Sequence, residues 1–111
     1  MKNFVQPGNT ITLTAPYAVT SGDGLLVGSI FGIASADTAL NDPVEATLTG
    51  VFDLTKVGSQ AWTAGVKVYW DDTNKRTTTV ATDNTLIGAA VEAVAGGAGD
   101  TIGRVRLNAS F

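Results

Sequence analysis

The sequence contains no cysteine and no histidine, and only 15% of its 111 residues are charged. Without cysteine no disulfide can form, so the fold must depend on packing or on assembly with other chains. Without thiolate or imidazole groups, most nucleophile–base pairs and most zinc or other transition-metal sites are excluded. About a quarter of residues are charged in a usual soluble domain. A surface with so little charge is typical of one that a partner covers.

Basic patches are also lacking. The formal net charge is -3, and the seven basic residues are scattered, with no cluster larger than a pair: Lys2, Lys56, Lys67, Lys75, Arg76, Arg104 and Arg106. Nucleic-acid binding needs a basic stripe that neutralises phosphates. We therefore expect no nucleic-acid partner.

No signal peptide is expected, because Pro7 and Gly8 interrupt the first residues. No membrane-spanning segment is expected either, because the apolar run Leu25–Ala36 is too short to cross a bilayer.

The pattern of apolar residues predicts strands and no convincing helix. Apolar positions do not recur at helical spacing, because Gly or Thr interrupts each candidate. A single domain spanning residues 1–111 is expected, all-β, built as a small β-sandwich or a partly open β-barrel of short strands. At most one short helical turn is expected, around Ser59–Trp62. Residues 1–10 are a candidate extended arm.

The segment Val66–Val80 predicts a β-hairpin. Val66, Val68 and Trp70 alternate with Lys67 and Tyr69, which is the period of a half-buried strand. The turn is expected over residues 71–75, with Asn74 in a left-handed conformation. A β-branched return strand should follow from Thr77 to Val80.

Five other segments have strand character. Thr10–Ala15 alternates, and Pro16 should either end this strand or confine it to a sheet edge. The run Leu25–Ala34 is expected to be one strand covered on both faces, with Gly28 and Gly32 marking bulges or close backbone approach. Further strands are expected over Val44–Leu54, Thr85–Val94 and Thr101–Leu107, the last with core residues Ile102, Val105 and Leu107.

The sequence lacks two common ligand-binding motifs, a phosphate-binding loop and a calcium-binding loop. A phosphate-binding loop needs Lys followed by Ser or Thr, but Val57 follows Lys56 and Arg76 follows Lys75. A calcium loop that begins at Asp71 would need Gly at its sixth position and Glu at its twelfth. Arg76 and Thr82 stand there instead. We predict no catalytic residue, no metal site and no cofactor.

Acidic and aromatic residues leave weaker alternatives. Asp37, Asp42, Glu45 or Asp53 could act as paired carboxylates of a glycosidase, although solvated loop acids are the simpler interpretation. Glu92 is expected to pair with Arg104 or Arg106 across strands. Trp62, Tyr69 and Trp70 could form a stacking platform for bases or sugars. For Trp70 core packing is favoured, whereas Trp62 could lie in the core or mark an interface.

Nearly the whole chain resembles a family of small tailed-phage proteins, the capsid cement or head decoration proteins. Members have also been described as a phage domain of unknown function or as a predicted RecA/RadA-type recombinase. No single motif is diagnostic, but the order and spacing of several are specific. They are Lys2–Gly8, Leu26–Gly32, Glu45 with Thr49–Leu54, Gly65–Asp71 with Tyr69-Trp70-Asp71, Leu86–Gly88 and Gly103–Leu107.

The resemblance implies a structural protein that binds the outside of a phage head, made in the host cytoplasm. Its expected partners are the major capsid protein and further copies of itself, in a trimer, with no nucleic acid and no membrane. Candidate capsid or subunit contacts are Phe4, Val5, Gln6 and Trp62. The recombinase description finds no support, since a phosphate loop and a basic surface are lacking. The alternatives are another virion or tail-associated β module and a carbohydrate-binding module.

Overall fold

The fold consists of two antiparallel β-sheets. A computed structural model describes residues 10–108, and the predicted contacts Phe4, Val5 and Gln6 lie outside this range. Within it the all-β prediction is confirmed. The strands are β1 (Thr10–Thr14), β2 (Gly24–Val27), β3 (Ile30–Ala34), β4 (Pro43–Thr47), β5 (Thr49–Thr55), β6 (Lys67–Asp71), β7 (Arg76–Thr78), β8 (Thr85–Ala90) and β9 (Ile102–Asn108).

The first sheet has the strand order β1-β4-β3-β2. It corrects the prediction of one strand over Leu25–Ala34, because β2 and β3 form a hairpin in which Val27 pairs with Ile30. The two-residue loop is Gly28-Ser29, and Gly28 takes a φ of 60°, which suits the first position of a type II′ turn. Gly32 does lie at a close approach, since a Cβ there would come within 2.8 Å of the Ala46 Cβ.

The second sheet has the order β5-β9-β8-β6-β7 and curls until its first and last strands meet. Lys56, directly after β5, forms a parallel bridge with Thr77 of β7. The Val57 amide donates to the Thr77 carbonyl at 3.0 Å, and the Thr77 hydroxyl donates to the Thr55 carbonyl at 2.8 Å. This contact closes one end of the sheet, and partial closure removes part of the exposed edge.

The predicted strand Val44–Leu54 is two strands, because the chain crosses from one sheet to the other within it. The strands β4 and β5 belong to different sheets and are separated by Leu48 alone. Leu48 is buried, with 7% of its surface exposed. Gly50, with a φ of 116°, lies just beyond this corner, where L-residues with a side chain would be strained.

Apolar side chains form two hydrophobic clusters. The larger lies between the sheets and joins Phe31 and Ile33 of β3 to Val68 and Trp70 of β6. The Phe31 and Trp70 ring centroids are 5.0 Å apart. The smaller cluster lies on the other face of the first sheet, where Leu25, Ala34, Val44 and Ala46 pack with Ala15, Val19 and Leu48. Each face of β3 is therefore covered, as the apolar composition of its segment predicted.

The predicted hairpin is confirmed with two changes of detail. Val68 and Trp70 are buried and Lys67 is exposed. The left-handed residue of the turn is Lys75, with a φ of 55°, rather than Asn74. The return strand covers Arg76–Thr78 and does not reach Val80.

One smaller prediction is wrong, because Ile102 does not lie in the core. Ile102 is 56% exposed, whereas Val105 and Leu107 are buried; the alternation of strand side chains puts Ile102 on the opposite face from the other two. No helical turn forms around Ser59–Trp62 in the described chain. Ser59 lies in a tight turn with a φ of 59°, and Trp62 forms a β-bridge with Val94.

Candidate functional site

Trp62 lies in the larger hydrophobic cluster with 2% of its surface exposed. Its backbone exchanges two hydrogen bonds with Val94, at 2.9 and 3.0 Å. Its ring covers Gly103 so closely that a Cβ there would come within 2.3 Å of a ring carbon. In the single chain this side chain packs in the core. A contact made at this position would therefore be made by exposed neighbours such as Ala61 and Thr63.

Gln60 is half-buried and forms a hydrogen-bond network that no sequence pattern indicated. Its Oε1 accepts hydrogen bonds from Trp62 Nε1 at 2.8 Å and from the Thr79 amide at 2.9 Å, and its Nε2 donates to Thr78 Oγ1 at 3.1 Å. One amide thus ties the Trp62 segment to the end of β7. In the part of the chain that the structure describes, every buried side-chain nitrogen or oxygen has a partner, as a well-specified core requires.

A cleft of about 240 Å³ lies where the loop after β1 and the start of β2 meet the end of β5 and the β6–β7 hairpin. Asp72, in the hairpin turn, accepts a hydrogen bond from Trp70 Nε1 at 3.0 Å and one from the Tyr17 hydroxyl at 3.4 Å. The Lys75 ammonium forms an ion pair with Asp72 at 3.2 Å and lies 4.1 Å from the centre of the Tyr17 ring. Tyr17 and Lys75 line the cleft, and their shared partner Asp72 links the loop after β1 to the hairpin.

Tyr17 is a titratable residue in the wall of this cleft, and its surroundings change its pKa. Burial, followed by the negative charge of Asp72, raises the pKa of Tyr17 to about 12. The phenol consequently stays protonated at neutral pH and donates, with Gly24 carbonyl as a second acceptor at 3.2 Å. A phenol with a raised pKa makes a poor general base. The arrangement joins the two sheets rather than activating a nucleophile.

The carboxylates considered for glycoside hydrolysis do not converge on this cleft. Asp37 accepts a hydrogen bond from the Ser21 amide at 2.8 Å, and Glu45 accepts one from the Thr12 hydroxyl. Of the four candidates only Asp53 lines the cleft. A hydrogen bond from Arg104 lowers the pKa of Asp53, which is the wrong direction for a general acid.

The outer face of the second sheet carries a small ion-pair network. Arg104 Nε donates to Asp53 Oδ1 at 2.9 Å, and a guanidinium nitrogen of Arg104 lies 3.6 Å from Glu92 Oε1. The predicted Glu92 pairing is therefore seen with Arg104, although Glu92 lies just after β8 rather than within a strand. All three side chains are about half exposed, so the network contributes little to stability.

The hairpin turn that suggested calcium binding is stabilised by hydrogen bonds to the Asp71 carboxylate from within the turn. Asp71 Oδ1 accepts from the amides of Thr73 and Asn74, at 3.1 and 3.2 Å, and Asp71 Oδ2 accepts from Asn74 Nδ2 at 2.8 Å. These hydrogen bonds, above all the one from the Asn74 side chain, lower the pKa of Asp71. Within residues 10–108 no group of three or more acidic side chains could hold a metal ion.

Comparison with known families gives one decisive match. The sequence profile of the phage cement protein family matches residues 5–107, which is almost the entire chain. The chain belongs to the phage cement protein family. No curated protein and no solved structure gave a significant match. Within the described residues, no helix is long and apolar enough to cross a membrane.

Membership gives this cement protein a structural role in a phage particle. The described geometry is consistent with that role, because every buried side-chain nitrogen or oxygen of residues 10–108 has a hydrogen-bond partner. Gln60, Asp72 and Asp71 each act as an acceptor for two or more donors of the same chain. Three residues are central to these hydrogen bonds: Tyr17, Gln60 and Asp72. No sequence pattern indicated their roles, because each bonds a residue that is distant in the chain.

Proposed function

We propose that this cement protein binds the outer surface of an assembled phage head and stabilises the capsid lattice, without enzymatic activity. The observation that carries the proposal is the family match over residues 5–107. The proposed partner is the major capsid protein, and the protein is made in the host cytoplasm before it joins the head.

The stabilisation follows from mass action. A protein that binds only the mature lattice stabilises it by its binding free energy, about 2.7 kcal/mol at a concentration one hundredfold above the dissociation constant. We also propose that the protein acts as a trimer. Three linked copies can contact several capsid subunits together, which raises the overall affinity above that of one contact.

The segment at residues 1–10 is proposed to contact the capsid or a neighbouring copy, with Phe4, Val5 and Gln6 as the contact residues. It precedes β1, which is an edge strand of the first sheet. An extended segment with apolar side chains can pair with the edge of a sheet in a partner.

The experiment is co-sedimentation of the purified protein with mature heads that lack it, and with unexpanded precursor heads. The proposal predicts saturable binding to mature heads at a fixed ratio to the major capsid protein. Binding to isolated tails but not to heads would favour the tail-associated alternative. Binding to glycans but not to heads would favour the carbohydrate-binding alternative, although Trp62 and Trp70 are both buried and leave no exposed tryptophan among residues 10–108.

A further inference from the structure

Charge is distributed unequally between the two sheets. Residues 10–48, which form the first sheet, contain four acidic residues and neither lysine nor arginine: Asp23, Asp37, Asp42 and Glu45. All four are exposed. The six basic residues of the described chain all lie in residues 49–108, together with six acidic ones. The two halves of the molecule therefore differ in electrostatic character, one negative and the other close to neutral.

One face of the first sheet is only half covered. Cross-strand pairing puts Glu45 opposite Thr12 and Thr47 opposite both Thr10 and Ile33. Further along this face, Phe31 and Ile33 are buried against the second sheet. The part on β1 and β4 extends past that contact with Thr10, Thr12 and Glu45 exposed. We call this part the threonine ledge: Thr10, Thr12, Thr14, Pro43, Glu45 and Thr47.

The outer face of the second sheet combines exposed apolar residues with basic side chains and with the carboxylates of Asp53 and Glu92, both of which pair with Arg104. Of the five large hydrophobic side chains that are exposed within residues 10–108, three lie on it, namely Val51, Val91 and Ile102. Val51 pairs with Arg106, Arg106 with Ala89, and Ala89 with Lys67, so these side chains form one row across four strands. Neither Arg106 nor Lys67 forms a salt bridge with any described residue. We call this surface the basic outer face, because Asp53 and Glu92 pair with Arg104 while Lys67 and Arg106 keep their charge unpaired within residues 10–108: Val51, Asp53, Lys67, Val91, Glu92, Ile102, Arg104 and Arg106.

We propose that the threonine ledge of one copy packs on the basic outer face of a second copy, with Glu45 facing Arg106 and Lys67. The charges that match are those of Glu45 on the ledge and of Lys67 and Arg106, which have no ion-pair partner among the described residues, and each surface is an exposed sheet face of this same chain. A contact between two different patches is heterologous, and repeating it can close a ring. The inference rests on the self-association in the proposed function, but not on binding to the capsid.

The test is the mass of the full-length protein in solution, measured by light scattering and sedimentation over a concentration series at low and high salt. The intact protein self-associates, more weakly at high salt because exposed charges are screened. Arg106→Glu and Glu45→Lys each weaken association by about tenfold or more. The double variant, in which the charges are exchanged, recovers most of the loss. The control is Thr82→Glu, which adds a negative charge at an exposed turn outside both surfaces and leaves association unchanged.

Three results would overturn the inference: a monomer at every concentration, single variants that associate normally, or a double variant no better than the singles. Loss of head binding by Arg106→Glu with unchanged self-association would assign the basic outer face to the capsid instead. If the exchanged pair restores self-association but the protein never binds heads, the proposed function fails while this interface stands. Unchanged circular dichroism of each variant shows that the fold is retained.

Discussion

Lys56 and Thr77 join the two ends of the curled second sheet through a parallel β-bridge. Lys56 is 1% exposed and has no ion-pair partner among the described residues. Its ammonium instead donates to the carbonyls of Val57 and Asp100, at 2.8 and 3.1 Å, and lies 5.6 Å from the centre of the Trp62 ring. The buried Lys56 ammonium therefore links the segment directly after β5 to the loop before β9.

Lys56→Met should destabilise the protein by about 2–3 kcal/mol, because it removes hydrogen bonds from a charged donor to two carbonyls while keeping most of the side-chain volume. Urea unfolding measures the loss. The control is Lys67→Met, the same change at an exposed position, which should stay within about 0.5 kcal/mol of the parent. Equal effects of the two substitutions would show that Lys56 does not hold the closure.

Gly103→Ala should destabilise the core by about 1–3 kcal/mol, since the added methyl group overlaps the Trp62 ring and overpacking forces side chains or backbone to move. Trp62 fluorescence and urea unfolding should change together. Gly99→Ala is the control, because a Cβ at Gly99 meets nothing within 4 Å. If Gly103→Ala were as stable as Gly99→Ala, the packing of Trp62 on β9 would be incorrect.

Stability should fall in alkaline solution through Tyr17. Its pKa in the folded protein, about 12, exceeds the ordinary value of 10.0. The folded state therefore keeps a proton that the unfolded state loses, so this contribution is complete below pH 10.0 and is lost as the pH rises toward about 12. Tyr17→Phe should flatten the decline, whereas Tyr69→Phe should retain it. An identical decline in both variants would contradict the role assigned to Tyr17.

Local alternation predicted much of the fold. The period of two in Thr10–Thr14 and in Lys67–Asp71 indicated both the strands and their buried faces, because a half-buried strand shows its environment in its own sequence. The same rule, applied strictly, would have placed Ile102 outside, since it has the parity of Arg104 and Arg106. Gly28-Ser29 also indicated a turn, but the apolar residues on both sides of it favoured one continuous strand.

Other features depend on contacts between distant segments, which local patterns do not encode. Leu48 turns the chain from one sheet to the other without glycine or proline. Trp62 could have faced a partner or the core, and its burial depends on Gly103 and Gln60. The candidate cleft forms because the loop after β1 meets the β6–β7 hairpin at Tyr17 and Asp72. The family resemblance, in contrast, was visible because it rests on the order of motifs along the chain.

Deletion of residues 1–6 should weaken binding to mature heads, because it removes the proposed contact residues Phe4, Val5 and Gln6, and it should leave the fold intact. Co-sedimentation measures the binding, and circular dichroism with urea unfolding measures the fold. A milder variant, with Ala in place of Phe4 and Val5, should show the same direction of change. Undiminished binding of both variants would remove Phe4, Val5 and Gln6 from the contact surface.

The most direct test of the cement role is the temperature at which mature heads break open, with and without the added protein. Heads that lack the protein should break at a lower temperature, and the temperature should rise with protein concentration until the binding sites are full, because the ligand stabilises the assembled lattice by mass action. Heads that bind the protein at saturation yet break at an unchanged temperature would contradict the account.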